Sequence, residues 1–133
     1  MANQTEKQVL EDGPLNHVVK LTGTLDTSDV SLAPAIRLQD LSGDPRLTLV
    51  GLKLCKVEYS IGADLVVAVT WNGATPQQAC VLTEAGEICF SPRAVPNRLA
   101  AGYDGDVNLA TSGFVVGKPN GYTVVLHFVK KYI

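Results

Sequence analysis

Tyr122-Thr-Val-Val-Leu-His-Phe-Val-Lys130 is the stretch that decides the fold. Its residues alternate as a strand does, and both rows are apolar: Val124, Leu126 and Phe128 in one, Val125 and Val129 in the other. A strand apolar on both faces belongs in the core of a sheet rather than at its rim. Pro119-Asn-Gly121, just before it, supplies a turn. Within the strand, His127 shares a row with Thr123, Val125 and Val129.

Segments of the same kind run back along the chain. From His17, Val19 and Leu21 share one face with Gly23, while Val18, Lys20 and Thr22 share the other. Asp26-Thr-Ser-Asp29 ends that strand with turn-forming side chains. Ala35-Ile-Arg-Leu38 reads as a short strand in preference to a helix, because a helical apolar stripe there spans under three turns. Leu47 to Ile61 is a long β region whose phase slips near Gly51, the mark of a bulge or bend. After the slip, Cys55, Val57, Tyr59 and Ile61 are expected on one face. Leu65 to Trp71 is apolar on both faces and expected to be central, and Asn72-Gly73 signals a hairpin. Gln78–Leu82 and Glu87–Phe90 are expected to pair as a hairpin, with Asp106–Thr111 a short strand and Phe114–Val116 a weak one. Pro92 to Tyr103 is a longer connection carrying Arg93 and Arg98. About eight short strands without a helix make a single-domain, all-β sandwich or jelly-roll-like barrel. Residues 1–16 are polar, end on Asp12-Gly-Pro14, and read as an extended N-terminal arm on a β-sandwich domain of residues 17–133.

The chain has 133 residues, of which 46% are hydrophobic and 18% charged, so one core forms without staples. At net charge −2 it has no basic stripe to neutralise phosphates, which disfavours nucleic acid. Met1 to Lys7 lacks the apolar core of a secretory leader, and no apolar run approaches the roughly 18 residues that cross a bilayer. The expectation is synthesis in a cytoplasm and no membrane partner. Cys55, Cys80 and Cys89 are odd in number and sit in strand patterns, so free thiols are expected.

The residue types that could carry chemistry have simpler structural roles. His17 and His127 are the only histidines, and neither has a cysteine or carboxylate at metal-ligand spacing. Asp104-Gly-Asp106 resembles a fragment of a calcium loop but lacks the further oxygens and the bidentate glutamate, so turn formation is the simpler role. No Gly-x-Ser-x-Gly elbow or phosphate-cradling glycine loop occurs. Trp71, the one tryptophan, either fills the core or offers a sugar-stacking platform. The expectation is a protein that is not an enzyme, with no catalytic or metal residues and no cofactor.

The order of Val18-Val-Lys-Leu-Thr-Gly-Thr-Leu-Asp-Thr-Ser-Asp29, Lys56-Val-Glu-Tyr-Ser-Ile61, Leu65–Trp71 with Asn72-Gly-Ala-Thr-Pro76, Ala100–Gly113 and Gly121–Val129 resembles small virion proteins of tailed bacteriophages. The likeness covers roughly residues 9–130 and points to head decoration, or cement, proteins. It implies a virion protein on the capsid surface, made in the bacterial host, that clamps neighbouring major capsid protein subunits. It also implies a homo-oligomer, a trimer in preference to a dimer, that binds partly through extended arms. On that reading Gln4, Lys7, Val9 and Leu10 of the arm, with Arg93 and Arg98 of the long loop, are the candidate capsid contacts. The alternatives are a neck, tail or fibre-associated phage protein, and a carbohydrate-binding β-sandwich that exposes Trp71 or Tyr103.

Overall fold

The computed structural model describes residues 3–26, 29, 33–41, 46–75, 77–94 and 101–132. Its strands are β1 (Gln4–Asp12), β2 (Asn16–Leu25), β3 (Ala33–Ile36), β4 (Leu49–Ile61), β5 (Val66–Trp71), β6 (Gln77–Leu82), β7 (Ala85–Ala94), β8 (Val107–Ser112) and β9 (Asn120–Tyr132). They form two antiparallel sheets, one ordered β1-β2-β9-β4-β7 and the other β3-β8-β5-β6. A single 3-10 turn at Leu38–Asp40 follows β3, and no α-helix occurs among the described residues. The fold is an all-β sandwich.

The deciding stretch lies where its two apolar rows require. β9 is the middle strand of the five-stranded sheet, paired on one side with β2 and on the other with β4. Tyr122, Val124, Leu126 and Phe128 point into the core with Val19, Leu21 and Leu25 of β2 and Leu52, Leu54 and Val57 of β4. Val67, Val69, Trp71, Val107 and Leu109 answer them from the second sheet. Such buried rows, each side chain contributing roughly 1.5–3 kcal/mol of transfer free energy, hold the sheets face to face.

The phase slip in β4 has two parts. Register shifts fall between Leu49 and Gly51 and again between Leu54 and Lys56. Cys55 is the extra residue of the second shift, so it does not join the Val57 row from the same unbroken alternation. Leu52 and Leu54 face the core before it and Val57 after it. The Cys55 thiol donates to the His127 carbonyl at 3.1 Å, which serves an acceptor beside the bulge.

Two expected pairings do not form. β6 and β7 are not a hairpin: β6 pairs with β5 in one sheet and β7 with β4 in the other. The short link Thr83-Glu84 is a corner between sheets, with Glu84 at a positive φ of 62°. Ile61 N–H donates to the Glu84 carbonyl there, tying this corner to the β4–β5 crossing. Cys80 and Cys89 therefore lie on different sheets, and all three cysteines are free. Burial pushes the Cys80 thiol up to about 11. Phe114–Val116 is not a strand but part of the turn before β9, with the Lys118 N–H on the Val115 carbonyl. Asp29, read as a turn former, makes long-range contacts: its carboxylate accepts from Thr111 Oγ1 at 3.2 Å and from Phe114 N at 3.1 Å, which ties it to the end of β8.

The N-terminal segment is extended, as an arm is, but it does not hang free. Residues 4–12 hydrogen-bond along β2 as β1, the outer strand of the five-stranded sheet.

Candidate docking edge

β1 reads Gln-Thr-Glu-Lys-Gln-Val-Leu-Glu-Asp, and its first eight residues are all exposed. Its register on β2 explains why. Thr5 opposes Gly23, Lys7 opposes Leu21 and Val9 opposes Val19, so this row lies on the core side of the sheet. Val9 is nonetheless 50% exposed. The second sheet thus does not reach over β1, which overhangs the sandwich with both faces in water. Leu10, also 50% exposed, is the extra residue where the register shifts between Val9 and Glu11. Among the described residues the strand's outward-facing backbone groups have no neighbouring strand, and this is the arrangement on which an added chain builds.

Of the six residues expected to contact a capsid, the structure gathers Gln4, Lys7, Val9 and Leu10 on this one strand. Arg93 belongs to β7, the opposite edge of the same sheet. Four inter-strand steps of about 4.8 Å place that edge roughly 19 Å away. Arg98 lies outside the described residues.

An anchor at the end of β1 escaped the sequence reading. Lys130 is in the inward row of β9, and its side chain is 0% exposed. Its ammonium donates to the Asp12 carboxylate and to the Gly13 carbonyl, the latter at 2.6 Å. Lys130 N–H donates to the Leu15 carbonyl at 2.6 Å, and the Tyr132 hydroxyl donates to the Pro14 carbonyl. His17 is buried beside them, its Nδ1 3.3 Å from Asp12 Oδ1. Burial holds the His17 imidazole below its ordinary value, against the opposing pull of Asp12. The alternation Tyr122, Val124, Leu126, Phe128, Lys130 was the signal: the inward row that carries the core also carries the lysine.

The outer face of the same sheet holds a second polar group. His127 Nε2 lies 3.0 Å from Glu58, and Lys56 sits 3.4 Å from Glu87 and 3.5 Å from Glu58. Glu87 first, and then Glu58, raises the Lys56 ammonium above its ordinary value. The hydrogen bond from His127, and then Lys56, lowers the Glu58 carboxyl. The Cys89 thiol donates to Glu87 at 3.6 Å. Neither it nor Cys55, which is bonded to a carbonyl, engages an imidazole nitrogen in these contacts. This is an arrangement of solvated cross-strand pairs.

Asp104 and Asp106 shape a turn and fasten it to neighbouring loops. Asp104 accepts from Asn72 Nδ2 at 2.8 Å and from Asp106 N at 3.0 Å, and Asp106 accepts from Leu38 N at 2.8 Å. Among the described residues no group of three or more His, Cys, Asp or Glu side chains is placed to hold a metal ion. No helix of the described residues is long and apolar enough to cross a membrane.

Trp71 fills the core. It is 2% exposed and meets Phe128 edge-on, with ring centroids 6.2 Å apart at 65°. A saccharide contact would have to use another surface. The outer face offers an open depression of about 950 Å³ where Glu6, Thr22, Thr123 and Ser60 stand in one cross-strand row. Added oligosaccharide is accordingly expected to leave Trp71 fluorescence unchanged in intensity and position. A quench or shift on titration would show that the indole is reachable.

No family model matches the chain, and no curated protein matches it. Among solved structures the chain is similar to one described as "CBM4 structure and function", at 13% identity over 97% of this chain and 94% of that one. The TM-score is 0.28, and no argument about this chain rests on that likeness.

Proposed function

We propose that this chain is a structural, non-catalytic protein of a tailed-bacteriophage head, which decorates the capsid exterior and grips neighbouring major capsid protein subunits. The observation that carries the reading is β1, an edge strand exposed on both faces and fixed to a rigid sheet. A partner strand laid along it gains main-chain hydrogen bonds, while Gln4, Lys7, Val9 and Leu10 offer side-chain contacts. Arg93 on the far edge supplies a second candidate contact, as a clamp between subunits needs. Protein that binds only the assembled shell stabilises it by mass action, and repeated weak contacts on a lattice multiply. Assembly as a homo-oligomer, a trimer in preference to a dimer, would set several such edges around one capsid axis. Neck or tail placement is the alternative within a virion.

Deletion of residues 1–10 tests the reading. This boundary keeps Asp12 and so leaves the buried Lys130 with its counter-charge. Because the side chains of residues 4–10 are exposed, the truncated protein is expected to keep its fold and lose most of its co-sedimentation with expanded capsids. Occupancy equal to that of the intact chain would refute β1 as the grip.

A further inference from the structure

The structure assigns to β1 a second property: it is a latched strand, held on β2 by the Asp12–Lys130 pair and a neutral His17, and acid opens it while the sandwich stays folded. This stands independently of any capsid partner. The side chains of residues 4–11 are exposed, so apolar burial contributes little to keeping the strand in place. What remains is the ladder to β2, the Asn3 side chain accepting from Asp26 N at 2.8 Å, and the contacts at the hairpin end.

That hairpin end is built around charge. The charged and titratable groups there are Asp12 and Lys7 of β1, His17 of β2, and Lys130 and Tyr132 of β9. Lys130 is a fully buried cation, and the Asp12 carboxylate sits directly on it. Removing that negative charge leaves an ammonium in a medium that solvates it poorly. Lifting the hairpin Gly13–Leu15 away from β9 lets water reach it. That movement touches the core rows of β2, β9 and β4 at their margin alone: residues 4–11 of β1 are exposed, and Val9, half exposed opposite Val19, is the apolar side chain that β1 lays on the core side of the sheet.

His17 makes the latch respond to pH. Its Nδ1 faces Asp12, and its Nε2 is buried with no hydrogen-bond partner among the described residues. A second proton would therefore be placed on an atom with no acceptor, close to Lys130 and Lys7, both of which oppose it. The closed state resists that proton and the open, hydrated state takes it. With the folded value lowered, stability of the closed state is full above about pH 6.5, the ordinary imidazole value, and is lost as the pH falls below it. One proton taken up on opening increases the open population by up to about tenfold per pH unit.

Amide hydrogen exchange on the full chain, expressed as protection relative to intrinsic rates, reads this directly. From about pH 7.5 to about pH 5, protection across residues 4–12 is expected to fall by about tenfold or more while Val124–Phe128 stays constant. Asp12→Asn is expected to show weak β1 protection already at about pH 7.5, with β9 unchanged. His17→Gln is expected to flatten the pH dependence. The latch is overturned if β1 and β9 lose protection together, or if β1 protection is indifferent to pH. It is equally overturned if Asp12→Asn folds with β1 as protected as in the parent. Should Asp12→Asn fail to fold, the parent titration and His17→Gln still decide.

Discussion

Replacing Phe128 with alanine is expected to lower the unfolding free energy by about 3–5 kcal/mol, the largest single effect foreseen for this chain. Phe128 is 1% exposed and lies on the central strand of its sheet, opposite His17 on β2 and Leu54 on β4. Its ring crosses the sandwich to meet Trp71. The substitution removes transfer free energy, opens a cavity between two rigid sheets, and forfeits about 0.5–1.5 kcal/mol of aromatic edge contact. Phe128→Leu keeps most of the volume and is expected to cost about 1–2 kcal/mol. Urea denaturation with Trp71 fluorescence as the probe measures both. A loss under about 1 kcal/mol for the alanine variant would mean that the two sheets do not meet through this pair.

The second large effect lies at a corner. Gly113 has φ +91°, and a Cβ placed on it would stand 2.2 Å from the Asp64 carbonyl oxygen. That oxygen belongs to the β4–β5 crossing, where Asp64 itself has φ 64° and Gly62 N–H donates to the Gly121 carbonyl. Neither backbone can yield without disturbing the other. Gly113→Ala is therefore expected to cost on the order of 3 kcal/mol, combining conformational strain with overpacking. Gly117→Ala is the control: its φ is +88°, but nothing lies within 4 Å of the added carbon. It carries the strain alone, about 1 kcal/mol. Equal melting temperatures for the two variants would show that the corner gives way.

Reading by alternation succeeded wherever one face of a strand meets the core. The rows Val19–Leu21, Val67–Val69–Trp71 and Val124–Leu126–Phe128 are buried as their spacing requires, and the slip near Gly51 is a real register shift. It faltered at partner choice. Gln77–Leu82 and Ala85–Ala94 follow one another with a short link, so a hairpin was the local inference, yet they cross between sheets. Local pattern says that a segment is a strand; the far end of the chain decides its neighbour. β4 accepts β7 on one edge because β9, from the C-terminus, already occupies the other.

The edge strand shows the same division. Polar composition marks the N-terminal segment as an arm and not a packed element, and the side chains of residues 4–11 are exposed. Polar side chains do not report whether the backbone is paired, because the ladder uses N–H and C=O groups that every residue but proline carries. The anchor needed both ends of the chain at once, since Asp12 and Lys130 are separated by 118 positions.

From its sequence alone this protein was bound to be an all-β sandwich with β9 at its heart, because apolar alternation is a local property that water sorts directly. Which strands adjoin, that the N-terminal segment lies along β2 as an edge, and that a buried lysine pins it there were settled only by the tertiary structure. Those features arise from contacts between residues far apart in the chain, and a charge can be buried only when its partner arrives with it.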